Sequence, residues 1–97
     1  MNKALLTGKI KRLKQAGKEG AAASYITLMC KGRDSGYDFI NVVAFGATSD
    51  YIHINLTEGD YIEVQGRLHY NSSTKQLEVI GNEIHCIAHG RTWQEVQ

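Results

Sequence analysis

Ten glycines and no proline punctuate the chain, and the glycines fall between short stretches of alternating apolar and polar residues instead of inside long ones. Strand side chains point to opposite faces with a period of two, so this spacing predicts a small all-β domain. Lys3 to Leu13 reads as a first strand, with Ala4, Leu6, Gly8 and Ile10 on one face and Lys3, Leu5, Thr7, Lys9 and Lys11 on the other. Gln15 to Ala23, rich in Gly, Lys and Ala, reads as a mobile loop. Tyr25 to Lys31 alternates again, with Ile26, Leu28 and Cys30 opposite Tyr25, Thr27, Met29 and Lys31. Gly32 to Gly36 forms a hairpin turn into a third strand, Tyr37 to Phe45. There Phe39, Asn41, Val43 and Phe45 share one face and Ile40, Val42 and Ala44 the other, and both are too apolar for ordinary exposed surface.

Past Gly46 the period changes. Ala47, Tyr51 and Ile54 recur at offsets of four and three, which predicts one short helix over Ala47 to Leu56, packed across a barrel end. Glu58-Gly59-Asp60 then turns into a fourth strand, Tyr61 to Tyr70, with Ile62, Val64, Gly66 and Leu68 inward. A polar hairpin loop, Asn71 to Lys75, leads to a fifth strand, Gln76 to Gly81, and a final extended piece, Glu83 to Ala88. Three strands, a short helix and two more strands is the order of the oligonucleotide-binding (OB) fold, a five-stranded, partly open Greek-key barrel. Gly8 and Gly66 are expected where strands bend or cross closely. Residues 1–90 form this domain, and 91–97 are a short extension, either frayed or an oligomer contact through Trp93.

A chain of 97 residues and 10.8 kDa supports one compact core. Apolar residues are 42% and charged residues 22%, which excludes a disordered tail, and no apolar run reaches the roughly 18 residues of a membrane span. The start carries no apolar signal segment, and Cys30 and Cys86 sit among apolar neighbours as core hydrophobes, so a reduced, cytoplasmic protein is expected. Charge is distributed unevenly. In residues 1–33 eight cations face the single acid Glu19, giving +7, while Arg67, Lys75 and Arg91 face nine acids in the remainder, giving −6. Such a chain presents a basic face to a polyanion while staying near neutral, although basic residues also merely solvate outer strands.

The outward face of the first three strands combines Lys3, Lys9, Lys11, Lys31 and Arg33 with Tyr25, Phe39 and Phe45. Cations draw the phosphate backbone, and exposed rings offer unpaired bases a stacking surface. The expected ligand is single-stranded nucleic acid, bound with little sequence preference. Phe39 and Phe45 lie six residues apart and therefore on one face. The alternative for both is a subunit interface or the lid of a satellite core.

Asp38-Phe39-Ile40-Asn41-Val42-Val43-Ala44-Phe45-Gly46, followed after the helical segment by Glu58-Gly59-Asp60-Tyr61-Ile62-Glu63-Val64-Gln65-Gly66-Arg67-Leu68, resembles the bacterial and phage single-stranded DNA-binding protein family. The opening Asn2 to Ile10 is similar to that family's first strand, and the resemblance covers roughly residues 2–87. It implies that Phe39 and Phe45 stack on bases and that Lys3, Lys9 and Lys31 lie on the backbone-binding surface. It further implies protection of single-stranded DNA in replication, recombination or repair, and a homotetramer or homodimer paired through the first strand, with Leu5 or Val43 as outer apolar contacts. Where family members carry a further stacking aromatic after the second strand, this chain has Arg33-Asp34-Ser35-Gly36 and only Tyr37 nearby. The fourth-to-fifth hairpin is short and offers only Tyr70. The acidic, Phe-terminated tip of many members is not matched by Trp93 to Gln97, which suggests a minimal, phage-type form.

Catalysis has no motif: there is no paired-carboxylate arrangement, no phosphate-cradling glycine loop and no nucleophile elbow. No cofactor is expected. His85, Cys86 and His89 are close in sequence, but His85 and Cys86 point to opposite faces of a strand and no second cluster completes four ligands, so no metal is expected. His53 is placed on the helix and His69 on an outer barrel face. The competing classes are a primosomal-type dimeric OB-fold module contacting replication proteins and a barrel for structured RNA.

Overall fold

The computed structural model describes residues 1–17 and 22–90. Strands β1 (Ala4–Ala16), β2 (Ala23–Lys31) and β3 (Tyr37–Phe45) precede helix α1 (Gly46–Asn55), and β4 (Tyr61–Asn71) and β5 (Gln76–Ala88) follow it. The five strands close into a barrel in the order β1-β2-β3-β5-β4. The seam between β3 and β5 is its one parallel ladder and is short, pairing Val42 with Val79 and Val43 with Ile80. That seam completes the ring, where the order of elements alone suggests a partly open barrel.

Alternation puts Ile10, Ile26, Leu28, Val42, Ala44, Ile62, Val64, Val79 and Ile84 inside, fully or nearly fully buried. Gly8 and Gly66 lie where strands cross too closely for a side chain. A Cβ on Gly8 would stand 2.6 Å from the Met29 carbonyl oxygen, and one on Gly66 only 1.9 Å from that of Ile80. At Gly66 the β4–β5 register also shifts, with Asn82 of β5 as the extra residue between Gly81 and Glu83.

α1 lies between β3 and β4 and packs Tyr51 against the core as expected, but the rest of its inward face differs. Ser49 and Ile52 are buried, with Leu56 just past the helix, whereas Ala47 is exposed and Ile54 is 77% exposed. The reason is polar: Ser49 Oγ meets Ser24 Oγ at 2.7 Å, both fully buried, and this pair anchors the helix to β2. A serine on the packing face hides it from a search for apolar periodicity.

Four further expectations change. β1 continues through Gln15 and Ala16, paired with Ser24 and Ala23, so the connection to β2 is shorter than the loop read from composition. The fifth strand and the final extended piece are one 13-residue strand. Leu68 does sit on the inward side, opposite Val79, yet it lies at an uncapped barrel mouth and is half exposed. Val43 is on the outer face but only 4% exposed, flanked by Tyr25 on β2 and Ile80 on β5, so it offers no apolar contact to a second copy. The contact expected through Trp93 lies outside the described residues.

Candidate nucleic-acid interface

The outer face of the barrel is organised by a bulge in β1. Ile10 pairs with Leu28 but Arg12 pairs with Thr27, which leaves Lys11 as the extra residue. Before the bulge the even-numbered residues Ala4, Leu6, Gly8 and Ile10 face inward; after it Leu13 does, opposite Ile26. The phase change sends Arg12 and Lys14 outward, a common use of bulges, which re-aim side chains near functional surfaces. Strict alternation puts those two cations on the core side, so a reading by period alone misses them. The signal is nonetheless present, because inward residues at 10 and 13 cannot belong to one uninterrupted strand.

With this register the outer face reads as rows across the strands. Lys9, Met29 and Phe39 form one row, then Arg12, Thr27 and Asn41, then Lys14, Tyr25 and Val43, and finally Ala16, Ala23 and Phe45. Successive rows are about 7 Å apart. The β4–β5 hairpin rises beside them and encloses a groove of about 300 Å³, whose walls include Arg12, Lys14, Tyr25, Asn41, Gln76 and Glu78. Among the described residues neither Arg12 nor Lys14 forms an ion pair, so both charges are available to a ligand.

The expected site residues are distributed unequally about this groove. Tyr25 lies in it, and Phe45 follows one row on, beside Ala23 at the start of α1. Lys11 is the exposed bulge residue, Lys9 is half-buried between Met29 and Tyr61, and Lys31 pairs with Tyr37 at the far end of the β2–β3 ladder next to Arg33 in the turn. Lys3 stands at the opposite end of β1 and does not line the groove. Tyr70 pairs with Leu77 on the other side of the β4–β5 hairpin, away from Asn71 and Gln76, which face the groove.

Phe39 borders a second concavity, the uncapped mouth of the barrel. It encloses about 490 Å³ and is lined by Leu5, Phe39, Leu68 and Leu77, all half exposed or more, with Ile40 and Val79 deeper. Asn2 fixes this rim by accepting from the Leu68 amide at 2.8 Å and donating to its carbonyl at 2.7 Å. Asn41 and Glu78 belong to both concavities and mark where groove and mouth meet. A third cavity, of about 320 Å³, lies between the end of β1 and α1, where His53 Nδ1 meets Gln15 Oε1 at 2.5 Å.

At the end of β5, Cys86 and His89 gather beside the buried Asp60. Asp60, 1% exposed, accepts from the Thr57 and Gly90 amides at 2.9 Å each and from His89 at 3.3 Å. Burial pushes its carboxyl up, but the Gly90 and Thr57 amides and then His89 outweigh that and hold it below the ordinary aspartate value. Cys86 Sγ is 3.7 Å from the His89 ring, and its thiol is pushed up chiefly by burial. Among the described residues no group of three or more His, Cys, Asp or Glu side chains stands close enough to hold a metal ion. No helix among them is long and apolar enough to cross a membrane.

The model of the single-strand binding protein family matches residues 1–94. No curated protein matches the chain by sequence. Among solved structures it is similar to the N-terminal domain of the PriB protein from Thermoanaerobacter tencongensis, described as dimeric, with a TM-score of 0.75 at 18% identity over 91% of this chain and 98% of that one. It is also similar to the second single-stranded DNA-binding protein of Mycobacterium smegmatis, with a TM-score of 0.77 at 16% identity, covering 89% and 88%. The mitochondrial single-stranded DNA-binding protein Rim1 of S. cerevisiae gives 0.74 at 14% identity, covering 92% and 96%. At these identities the likeness to solved structures concerns the fold.

Proposed function

Because the chain belongs to the single-strand binding protein family, a family of binding proteins and not of catalysts, we propose that its groove binds and protects single-stranded DNA in replication, recombination or repair. The observation that carries the reading is the groove itself: Arg12 and Lys14 along the β1 edge, with Tyr25 and then Phe45 on the strands beside them. Cations on one edge hold phosphates while rings farther across the sheet accept bases, an arrangement that suits unpaired strands and not duplex. Lys9, Lys11, Lys31 and Arg33 extend the positive surface around it, and Phe39 and Tyr37 continue the aromatic one. Residues 1–90 carry this activity, in the cytoplasm of the cell in which the protein works.

The reading includes a homo-oligomer. From Ala4 to Thr7, β1 pairs only with β4, and its other edge is unpaired before β2 joins. A second copy pairing there supports a dimer, and a dimer of dimers a tetramer. A second reading, an OB-fold module contacting replication proteins, is favoured by the apolar barrel mouth around Leu5, Leu68 and Leu77.

The test is fluorescence anisotropy with labelled oligo-dT of about 35 nucleotides beside a duplex of equal length, over a salt series. The expected result is tight single-strand binding that weakens steeply with log salt, and far weaker duplex binding. Weak, salt-insensitive signals with both ligands overturn the reading in favour of the protein-interaction class.

A further inference from the structure

Resting on the single-strand reading, we infer that Glu78 is a base-selecting residue that favours cytosine over thymine in the groove. Glu78 sits on β5 immediately before Val79, and the parallel seam pairs Val79 with Val42 and Ile80 with Val43. It therefore extends the row of Arg12, Thr27 and Asn41 across a fourth strand, and it lines the groove together with them. This row lies between the Met29–Phe39 row and the Tyr25 row, so a base stacked on either ring turns an edge toward it.

The charges in the row have an order. Arg12 stands on β1 and Glu78 on β5, three interstrand steps or roughly 14 Å apart. Phosphates are drawn to the Arg12 and Lys14 edge and repelled from the carboxylate, so a bound nucleotide points its base, and not its backbone, at Glu78. An ionised carboxylate only accepts hydrogen bonds. Its hydrogen bond from the Asn71 side-chain amide, at 3.5 Å, is long, and its cross-strand neighbour His69 forms no ion pair with it. Glu78 thus has acceptor capacity turned toward the groove.

Cytosine presents an amino donor on its pairing edge, followed by two acceptors; thymine presents a carbonyl oxygen where cytosine has the amino group. Against Glu78 the cytosine amino group donates a hydrogen bond, while Asn41 beside it has an amide to offer the neighbouring acceptors. Thymine in the same place sets its oxygen against the carboxylate. Its one pairing-edge donor, N3–H, reaches Glu78 only if the base slides by one position, which sets an oxygen beside the carboxylate in place of the match that cytosine makes at both residues. The two bases are both pyrimidines, so stacking differs less between them than this contact does.

The experiment compares oligo-dC with oligo-dT of about 35 nucleotides by anisotropy at pH 7.5 and one moderate salt concentration, for the native protein and for Glu78→Gln. Expected is roughly fivefold tighter binding of oligo-dC by the native protein. In Glu78→Gln, whose amide also donates, the ratio is expected to fall to near unity, chiefly through tighter oligo-dT binding. Glu78→Asp, which keeps the carboxylate, retains a preference. Equal binding of the two oligonucleotides by the native protein, a preference for dT, or a ratio unchanged in Glu78→Gln overturns the inference while leaving single-strand binding in place. Failure to bind either oligonucleotide overturns both.

Discussion

Replacing Asp60 with Asn removes one charge and exchanges one acceptor for a donor at a position that ties three parts of the chain together. The carboxylate accepts from the amide of Thr57 after α1 and that of Gly90 after β5, and the Asp60 carbonyl accepts from Ile10 in β1 at 2.8 Å. In the Asp60→Asn protein one of the two amides facing the side chain meets a donor instead of an acceptor. Leaving one buried N–H without a partner costs about 1–3 kcal/mol, and the surviving bond loses its charge assistance, so a total of roughly 2–4 kcal/mol is expected. For a domain of this size each kcal/mol lowers Tm by about 4–8 °C, which predicts a fall on the order of 10–25 °C. The pH dependence has a definite sign. The folded Asp60 carboxyl titrates below its ordinary value, so its stabilisation is complete above about pH 3.9, the unfolded value, and is lost as pH falls through the folded one. Melting curves of the native and Asp60→Asn proteins, followed by circular dichroism from pH 7 to pH 3, should therefore converge toward the acid end. A Tm difference below about 3 °C at pH 7, or a difference that does not narrow with acid, refutes this account of Asp60.

Three further outcomes are expected. Arg12→Ala and Lys14→Ala should each lower the slope of log affinity against log salt for oligo-dT by about 0.7, whereas Lys3→Ala, outside the groove, should change it less; equal effects at all three positions count against the groove as the phosphate track. Tyr25→Ala should weaken oligo-dT binding by about 1–3 kcal/mol with an unchanged melting curve, measured by anisotropy and calorimetry. Gly66→Ala forces a Cβ to within 1.9 Å of the Ile80 carbonyl and should cost about 2–4 kcal/mol or more, read from the urea midpoint; a midpoint close to the native one would show that the β4–β5 crossing relaxes freely there.

Much of the barrel is legible in the sequence because a period-two pattern survives burial on one face. Ile26, Leu28 and Cys30, or Ile62, Val64 and Gly66, assign their strands without help. Legibility fails where packing uses polar or interrupted patterns. The inward face of α1 runs through Ser49, which is buried because it bonds Ser24, and that partner is 25 residues distant. In the site, the aromatic candidates are visible because exposed rings at even spacing are conspicuous on a strand. Arg12 and Lys14 are not, because a single extra residue at Lys11 inverts the meaning of every position after it. Tyr70 is placed by parity too: its type fits stacking, and its position on β4 puts it on the side of the hairpin away from the groove, with Leu77. Glu78 carries no signature by itself, and its meaning comes from the Val42–Val79 pair, a contact between strands 37 residues apart in the chain.

The unpaired stretch of β1 also determines how far self-association can run. It is four residues long, from Ala4 to Thr7; Lys3 stands before it, Gly8 already packs against the Met29 carbonyl, and β2 pairs from Lys9. If two copies pair there about a two-fold axis, each uses up the same edge of the other, so this edge adds no third copy and a tetramer needs a different surface. A second free edge on a different strand would permit head-to-tail addition and a fibre. The position at which β2 joins β1 therefore sets how many residues of β1 such a two-fold pairing can use. A substitution that loosened the Lys9–Met29 pairing would lengthen the edge and should show as tighter self-association in analytical ultracentrifugation.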